Sequence, residues 1–109
     1  GPLLTAIAAS AITTITDFGT QELANTSWSF ATLAVRDAPL LDAIAAASLA
    51  KISAFTEQGL GNTAWAFATL FFSNGPLFEA IASAALSKRQ QFSSQGLANT
   101  AWAYATCKV

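Results

Sequence analysis

The stretch Asn62-Thr63-Ala64-Trp65-Ala66-Phe67-Ala68-Thr69 decides the fold, because near-copies of it occur at residues 25–32 and 99–106. The three copies are spaced 37 residues apart. Tryptophans and prolines elsewhere in the chain keep the same spacing, at Trp28, Trp65 and Trp102 and at Pro2, Pro39 and Pro76. A fixed period of this length is typical of a stack of similar structural units, each of which contacts only its neighbours.

The period divides the 109 residues into three units. We predict unit 1 at residues 1–38, unit 2 at 39–75 and a shorter unit 3 at 76–109, which together form one repeat domain and are part of a longer chain. The first residues lead directly into a helix and the last stop inside one, without the polar capping unit that usually ends such a stack. We therefore expect further chain or another protein to cover both ends.

The residue pattern of each unit predicts two helices. Proline and leucine open an alanine-rich helix A, at residues 2–16, 39–53 and 76–90, because proline is well tolerated in a first helical turn. A phenylalanine and a short polar step follow, with Thr56 and Ser93 as expected N-caps of helix B. Helix B is predicted at residues 20–35, 57–72 and 94–107, and Asn74-Gly75 is expected to stop it in unit 2. The pattern predicts an all-α fold, a right-handed α-solenoid of three antiparallel helix pairs.

Helical projection predicts how these helices pack. Helix B has apolar residues around more than half of its circumference, which indicates burial on two sides. The back of helix A carries small residues, for which we expect a second helix packed closely against it. These residues are Ala6, Ala9, Thr13, Ala43, Ala46 and Ala50.

Composition favours a surface that protein covers. Hydrophobic residues make up 53% of the chain and charged residues 10%, against roughly 25% charged in an ordinary soluble domain. The net charge of −1 gives no general attraction to phosphate or to anionic lipid. The longest charge-free run, residues 58–78, is interrupted by Gly75-Pro76, so we predict no transmembrane segment. The single cysteine, Cys107, excludes an intrachain disulfide and is expected to be a small packing residue.

The sequence offers no catalytic or metal-binding constellation. Histidine is absent, the one thiol has no identifiable base, and the six carboxylates lack metal-ligand spacing. No glycine-rich phosphate loop is present. We predict that the protein is not an enzyme and has no catalytic residue, metal site or cofactor.

One row of residues is the same in all three units. Asparagine, tryptophan and threonine lie about one helical turn apart along helix B. This row could read and stack RNA bases, or it could be structural, with a buried amide bonded to turn backbone beside a tryptophan that fills the space between units. We favour a structural inter-repeat ladder, because residues that read a variable sequence should vary themselves. The row consists of Asn25, Trp28, Thr32, Asn62, Trp65, Thr69, Asn99, Trp102 and Thr106.

Helix A positions that differ between units are the better candidates for partner contact. Thr14, Lys51 and Lys88 share one position, and Arg89 adjoins the last of them. The three cations in this set, Lys51, Lys88 and Arg89, are fewer than the roughly six to ten phosphate contacts of strong nucleic-acid binders. Solvated charge on an apolar helix is the alternative interpretation. A second varying position holds Thr5, Asp42 and Glu79, and a third holds Ala9, Ala46 and Ser83.

Residues 58–70 (QGLGNTAWAFATL) and 95–106 (QGLANTAWAYAT) resemble the octotricopeptide repeat, and the likeness extends over essentially the whole chain. The resemblance implies a nuclear-encoded organellar protein, in the chloroplast more than in the mitochondrion, with a role in RNA maturation, stability or translation. Two departures stand out. The Ser-Pro start of helix B is replaced by Gly19-Thr20, Thr56-Glu57 and Ser93-Ser94, and the basic character of an RNA binder is missing.

Two functions follow from these patterns. The composition favours a non-catalytic scaffold or interaction subunit, whose partners are protein subunits of a large organellar complex. The resemblance favours an RNA-binding segment of an organellar expression factor. DNA is not an expected partner, because the chain carries little positive charge.

Overall fold

A computed structural model describes residues 1–107 of the chain as six α-helices, with no strand among them. The prediction of an all-α fold is confirmed. The side chain of Cys107, and with it the expected packing role, lies outside the described part, as do residues 108 and 109. The helices are α1 (Pro2–Thr14), α2 (Thr20–Thr32), α3 (Ala38–Ala50), α4 (Glu57–Thr69), α5 (Gly75–Ser87) and α6 (Ser94–Cys107).

Helix A is shorter than predicted in every unit. The α-helix ends at Thr14, Ala50 and Ser87, and the next residues form a separate 3₁₀ turn, at Ile15–Asp17, Ile52–Ala54 and Arg89–Gln91. The spacing of apolar residues could not show where the α-helix gives way to a 3₁₀ turn, because both kinds of helix bring residues three apart to nearly the same side. Each 3₁₀ turn is followed by a phenylalanine in extended conformation, at Phe18, Phe55 and Phe92.

Side-chain caps fix where most helices begin. Thr56 Oγ1 accepts a hydrogen bond from the Gly59 N–H at 3.1 Å, and Ser93 Oγ accepts one from Gly96 at 3.0 Å, so both predicted caps of helix B are confirmed. The expectation that Asn74-Gly75 stops a helix is wrong. Asn74 Oδ1 accepts from the Leu77 N–H at 2.9 Å and therefore begins α5.

Helices α2 and α4 end in a left-handed residue that is not glycine. Ala34 has φ of 57° and Phe71 has φ of 53°. The N–H of the next residue, Val35 or Phe72, returns to the carbonyl of Phe30 or Phe67 at 2.9 Å, which is the Schellman arrangement. Helix B therefore stops at Thr32 and Thr69, three residues before the predicted ends.

Replacing Ala34 by glycine should stabilise the protein. Glycine adopts positive φ without the Cβ clash of alanine, so the Ala34→Gly change should raise the free energy of unfolding by about 0.5–1 kcal/mol. The exposed Ala46 in the middle of α3 is the matched control, because glycine there should lower stability by about 1 kcal/mol. Urea unfolding of both variants measures the difference, and equal losses would contradict the role of φ at Ala34.

The B helices form the tightest packing in the molecule. Helix α4 contacts α2 on one side and α6 on the other, and buried alanine, glycine and threonine residues line its two contact faces. Two-sided burial of helix B is thus observed at the middle unit. The prediction that a helix packs on the small-residue back of helix A is wrong at most of its positions within residues 1–107. Ala43 is half-buried and packs against the core, but the other five are exposed, namely Ala6, Ala9, Thr13, Ala46 and Ala50. No helix in this part of the chain is long and apolar enough to cross a membrane.

Large apolar side chains complete a core between the A and B helices. These side chains are fully buried and come from both helices of a unit, and the helices of successive units contact each other in order along the chain. The core extends from α1 to α6 as one cluster. Its largest members include Leu23, Leu40, Ile44, Leu60, Phe67, Leu77, Phe78 and Ile81.

Candidate partner-contact site

Lys51 and Lys88 reach back to the preceding unit. Lys51 Nζ donates to the carbonyl oxygen of Thr16 at 3.1 Å and to that of Phe18. Lys88 Nζ repeats this arrangement with the carbonyl of Ser53 at 2.9 Å and that of Phe55. The ammonium group donates hydrogen bonds to backbone carbonyl oxygens that the 3₁₀ turn leaves without an internal donor. Both lysines therefore hold adjacent units together.

The other predicted partner-contact residues are exposed. Thr14 occupies the lysine position of unit 1, and its hydroxyl donates to Ser10 and Ala11 within the same helix. Arg89 Nη1 donates to the Leu86 carbonyl at 2.9 Å, which is also a local contact. Asp42 and Glu79 are exposed on helices α3 and α5. Partner contact through these positions stays a prediction, and only the two lysines have a contact that joins units.

Arg36 makes a second contact between units. Its Nε donates to the Leu70 carbonyl at 3.1 Å, beyond the end of α4, and its guanidinium lies 4.9 Å from the centre of the Phe72 ring. A cation at this end of a helix is favourable for the free carbonyl groups, and the aromatic face adds to the attraction. The chain therefore uses Arg36, Lys51 and Lys88 to bind backbone or aromatic rings of a neighbouring unit.

Removing the ammonium of Lys88 should destabilise the fold. A hydrogen bond to a charged group contributes about 1.5–3 kcal/mol, and Lys88→Met keeps the aliphatic chain while leaving two carbonyl oxygens without a donor. We expect a loss in that range by chemical unfolding. Arg89→Met removes the same charge from the adjacent exposed residue and should change stability by less than about 0.5 kcal/mol. Similar losses in the two variants would show that net charge is responsible.

The asparagines of the repeated row lie at the surface. Asn25 and Asn99 are exposed and Asn62 is half-buried, and their side chains make no hydrogen bond to another group in residues 1–107. The interpretation of these residues as buried amides bonded to turn backbone is therefore wrong. Helical projection did not show that this edge of helix B faces solvent.

The three asparagines line a polar groove at the start of the B helices, hereafter the amide groove. Its first part, between α2 and α4, has a volume of about 350 Å³, and its second part, between α4 and α6, has a volume of about 450 Å³. Gln58 and Asn62 line both parts, so the two are adjacent. Six amide side chains of the B helices, two from each unit, contribute to the lining, and Gln91 of the last 3₁₀ turn adds a seventh. The six are Gln21, Asn25, Gln58, Asn62, Gln95 and Asn99.

Sequence reasoning missed the glutamines of this groove. Gln21, Gln58 and Gln95 are each four residues before the asparagine of their unit, a spacing that places both amides on the same helix face. Every amide offers two donors and an acceptor. The only charged residue among the described lining residues is Glu57, so the groove suits neutral polar groups and repels phosphate.

The tryptophans differ in exposure along the row. Trp28 and Trp102 are each 47% exposed, whereas Trp65 is half-buried and packs against the core. Of the three tryptophans, Trp65 therefore fits best the predicted role of filling the space between units. The structural ladder stays a prediction for the row as a whole. The threonines of the row also differ, since the hydroxyl of Thr32 bonds to the Trp28 carbonyl and that of Thr69 is buried without a partner among residues 1–107.

Tyr104 replaces a buried phenylalanine of the other units and ties α6 to α5. Its hydroxyl donates to the Phe78 carbonyl, and its ring meets Phe78 edge-on with 5.3 Å between ring centres. Burial raises the pKa of Tyr104 to about 12. Phe30 and Phe67 hold the equivalent positions in α2 and α4.

The raised pKa of Tyr104 predicts a loss of stability at high pH. The folded state holds the phenolic proton above the ordinary pKa of about 10, so ionisation favours unfolding. The contribution of Tyr104 is therefore intact below pH 10 and is lost as pH rises through 12. Tyr104→Phe should lose less stability over this range than the unaltered protein, measured by thermal unfolding at several pH values. Lysine titration is common to both proteins, and parallel curves would contradict the prediction.

Comparison with known families identifies a relationship over nearly the whole chain. Residues 2–109 match the family model of the RNA-editing substrate-binding complex 6 protein. The chain belongs to this family. The comparison with curated proteins gives no match. Members of this family are components of an RNA-editing complex, which agrees with the expectation of a subunit in a large assembly.

The family match supports some of the sequence predictions and not others. It supports a helical subunit with protein partners, and it does not support the expected chloroplast location. Membership of the octotricopeptide repeats is not shown by the match and stays a prediction. No group of three or more histidine, cysteine, aspartate or glutamate side chains in the described chain is arranged to hold a metal ion.

Proposed function

We propose that this chain is a non-catalytic helical-repeat subunit that joins other proteins within an organellar RNA-editing complex. The family match over residues 2–109 supports the complex, and the exposed apolar faces support protein partners. The proposed architecture is a right-handed α-solenoid of antiparallel helix pairs, with units at residues 1–38, 39–75 and 76–109. An RNA-editing complex favours the mitochondrion as the location.

One observation carries this proposal. Apolar positions that are buried in the middle of the chain are exposed in its first and last units. Leu3 is 72% exposed, whereas its equivalents Leu40 and Leu77 are fully buried. Leu97 is 52% exposed, whereas Leu60 is fully buried. Exposed apolar surface of this kind marks contact with protein.

The first unit provides a direct test of the scaffold proposal. The tagged natural protein should sediment with the other subunits of the RNA-editing complex, before and after ribonuclease treatment. Leu3→Glu places a charge on the exposed apolar face of α1 and should weaken this association at least tenfold, which is about 1.4 kcal/mol. Thr13→Glu is the control, because this position is exposed and its equivalents Ala50 and Ser87 are exposed too.

The same measurement separates the two candidate functions. Release of the protein by ribonuclease would show that RNA holds it in the complex. Free sedimentation of the untreated protein would contradict both candidates. Circular dichroism of the purified variants establishes that the glutamate changes leave the helices intact.

RNA binding through the amide groove is the second candidate. The observation that favours it is the alignment of six exposed or half-buried amides of the B helices, two from each unit, along one groove. Amide side chains can pair with base edges, and Trp28 and Trp102 expose aromatic faces on the same helices. The absence of Lys and Arg from the described groove lining predicts weak binding with little dependence on salt.

Asn62 is the residue with which to test this second candidate, because it lines both parts of the groove. Asn62→Ala should weaken the binding of a labelled single-stranded RNA about tenfold in fluorescence anisotropy, since several hydrogen bonds are lost. Gln90→Ala removes an exposed amide outside the groove and should leave the affinity unchanged. A steep salt dependence, or equal effects of the two variants, would show that another surface binds the RNA.

A further inference from the structure

The outer face of unit 3 matches surfaces that the chain itself covers in units 1 and 2. Ala98, Ala101 and Ala105 on α6 are all exposed. Their equivalents on α4, Gly61, Ala64 and Ala68, are all buried and lie beside α6, where Gly61 approaches Thr100. The equivalents on α2 are buried in the same way beside α4. Twice in this chain, the following helix pair covers this face.

The small side chains set the kind of element that fits. Alanine and glycine let two helix backbones approach closely, so α2 meets α4 and α4 meets α6 along these positions. Leu97 adds an apolar anchor at the edge of the same face, where Leu23 and Leu60 are fully buried. A helix therefore suits the exposed face of α6 in shape and polarity.

Two backbone carbonyls in each of units 1 and 2 add a chemical requirement, because they accept hydrogen bonds from a lysine of the following unit. The oxygens that accept from Lys51 belong to Thr16 and Phe18, and those that accept from Lys88 belong to Ser53 and Phe55. The next members of the series are the carbonyls of Gln90 and Phe92, 37 residues further along. Neither Lys51 nor Lys88, the two lysines among residues 1–107, donates to them.

We propose that the outer face of unit 3 binds a helix pair of the same type whose first helix carries a lysine, and that this ammonium binds the carbonyls of Gln90 and Phe92. This inference rests on the proposed function as an interaction subunit and specifies the chemistry of one partner. A second copy of this chain offers Thr14 at the corresponding position, and the threonine side chain is too short to reach as lysine does.

A fused fourth unit tests the proposal directly. A second copy of residues 73–109, joined after Val109, continues the 37-residue register and supplies a lysine equivalent to Lys88. We expect a higher unfolding temperature and slower amide exchange in α6 than in the unmodified chain. The same fusion with threonine in place of the new lysine should have a folding equilibrium constant about tenfold lower.

The outcomes of the fusion experiment are distinct. An unchanged unfolding temperature, with added helical signal in circular dichroism, would overturn docking of a helix pair. Equal stability of the lysine and threonine fusions would overturn the role of the ammonium. Leu97→Glu in the lysine fusion should cancel the gain, because it buries a charge in the new contact.

A second experiment uses the chain without an added unit and does not depend on the folding of the fusion. Thr14→Lys gives α1 the missing lysine, so head-to-tail association of copies should strengthen about tenfold in sedimentation velocity. Thr13→Lys adds the same charge at an exposed neighbouring residue and should have no such effect. Leu97→Glu should reverse the association produced by Thr14→Lys.

The association experiment also separates this inference from the proposed function. Strong self-association of the unmodified chain, unaltered by Thr14→Lys, would show that a second copy occupies the face without a lysine and would overturn the inference. Equal association of the Thr13→Lys and Thr14→Lys variants would overturn it as well. Neither result affects the Leu3-dependent association with the RNA-editing complex, which tests the scaffold role separately.

Discussion

Close contact between successive B helices is the constraint on which the rest of the structure depends. Helix α4 approaches α2 and α6 at once, and only small residues fit at the two contact faces. The large side chains are consequently placed on the side of the B helices that faces the A helices, where Leu60 and Phe67 are fully buried. The A helices are then held mainly by this core and by the lysines that reach back to the preceding unit.

Lysine has a specific advantage in this position. The 3₁₀ turn and the extended phenylalanine after it direct two carbonyls away from the helices, and one flexible ammonium can bind both. Because the donor comes from the next unit, the same contact satisfies backbone oxygens and fixes the position of one unit on another. A chain with only five basic residues uses two of them in this way, so few are left for binding phosphate.

The period of the sequence predicted the all-α fold and its helix starts well, because proline, threonine and serine act locally. Helix ends were predicted less well. Ala34 and Phe71 adopt positive φ although neither is glycine or asparagine, and Asn74, which suits a helix stop, caps the next helix. The contacts of Lys51 were not predictable from the period either, since a spacing of 37 residues does not show in which direction a long side chain points.

The repeated asparagine shows how identity between units can mislead. Its sameness in every unit favoured a buried structural role, but a position can be constant because the groove it lines is built once per unit. Asn62 shares both parts of that groove with Gln58, and both are free of hydrogen bonds to other side chains in residues 1–107. An unbonded amide on a helix disfavours the helix and contributes nothing to the core. Its presence in all three units is what the second candidate function, binding at the groove, would require, whereas packing between the units does not require an amide there.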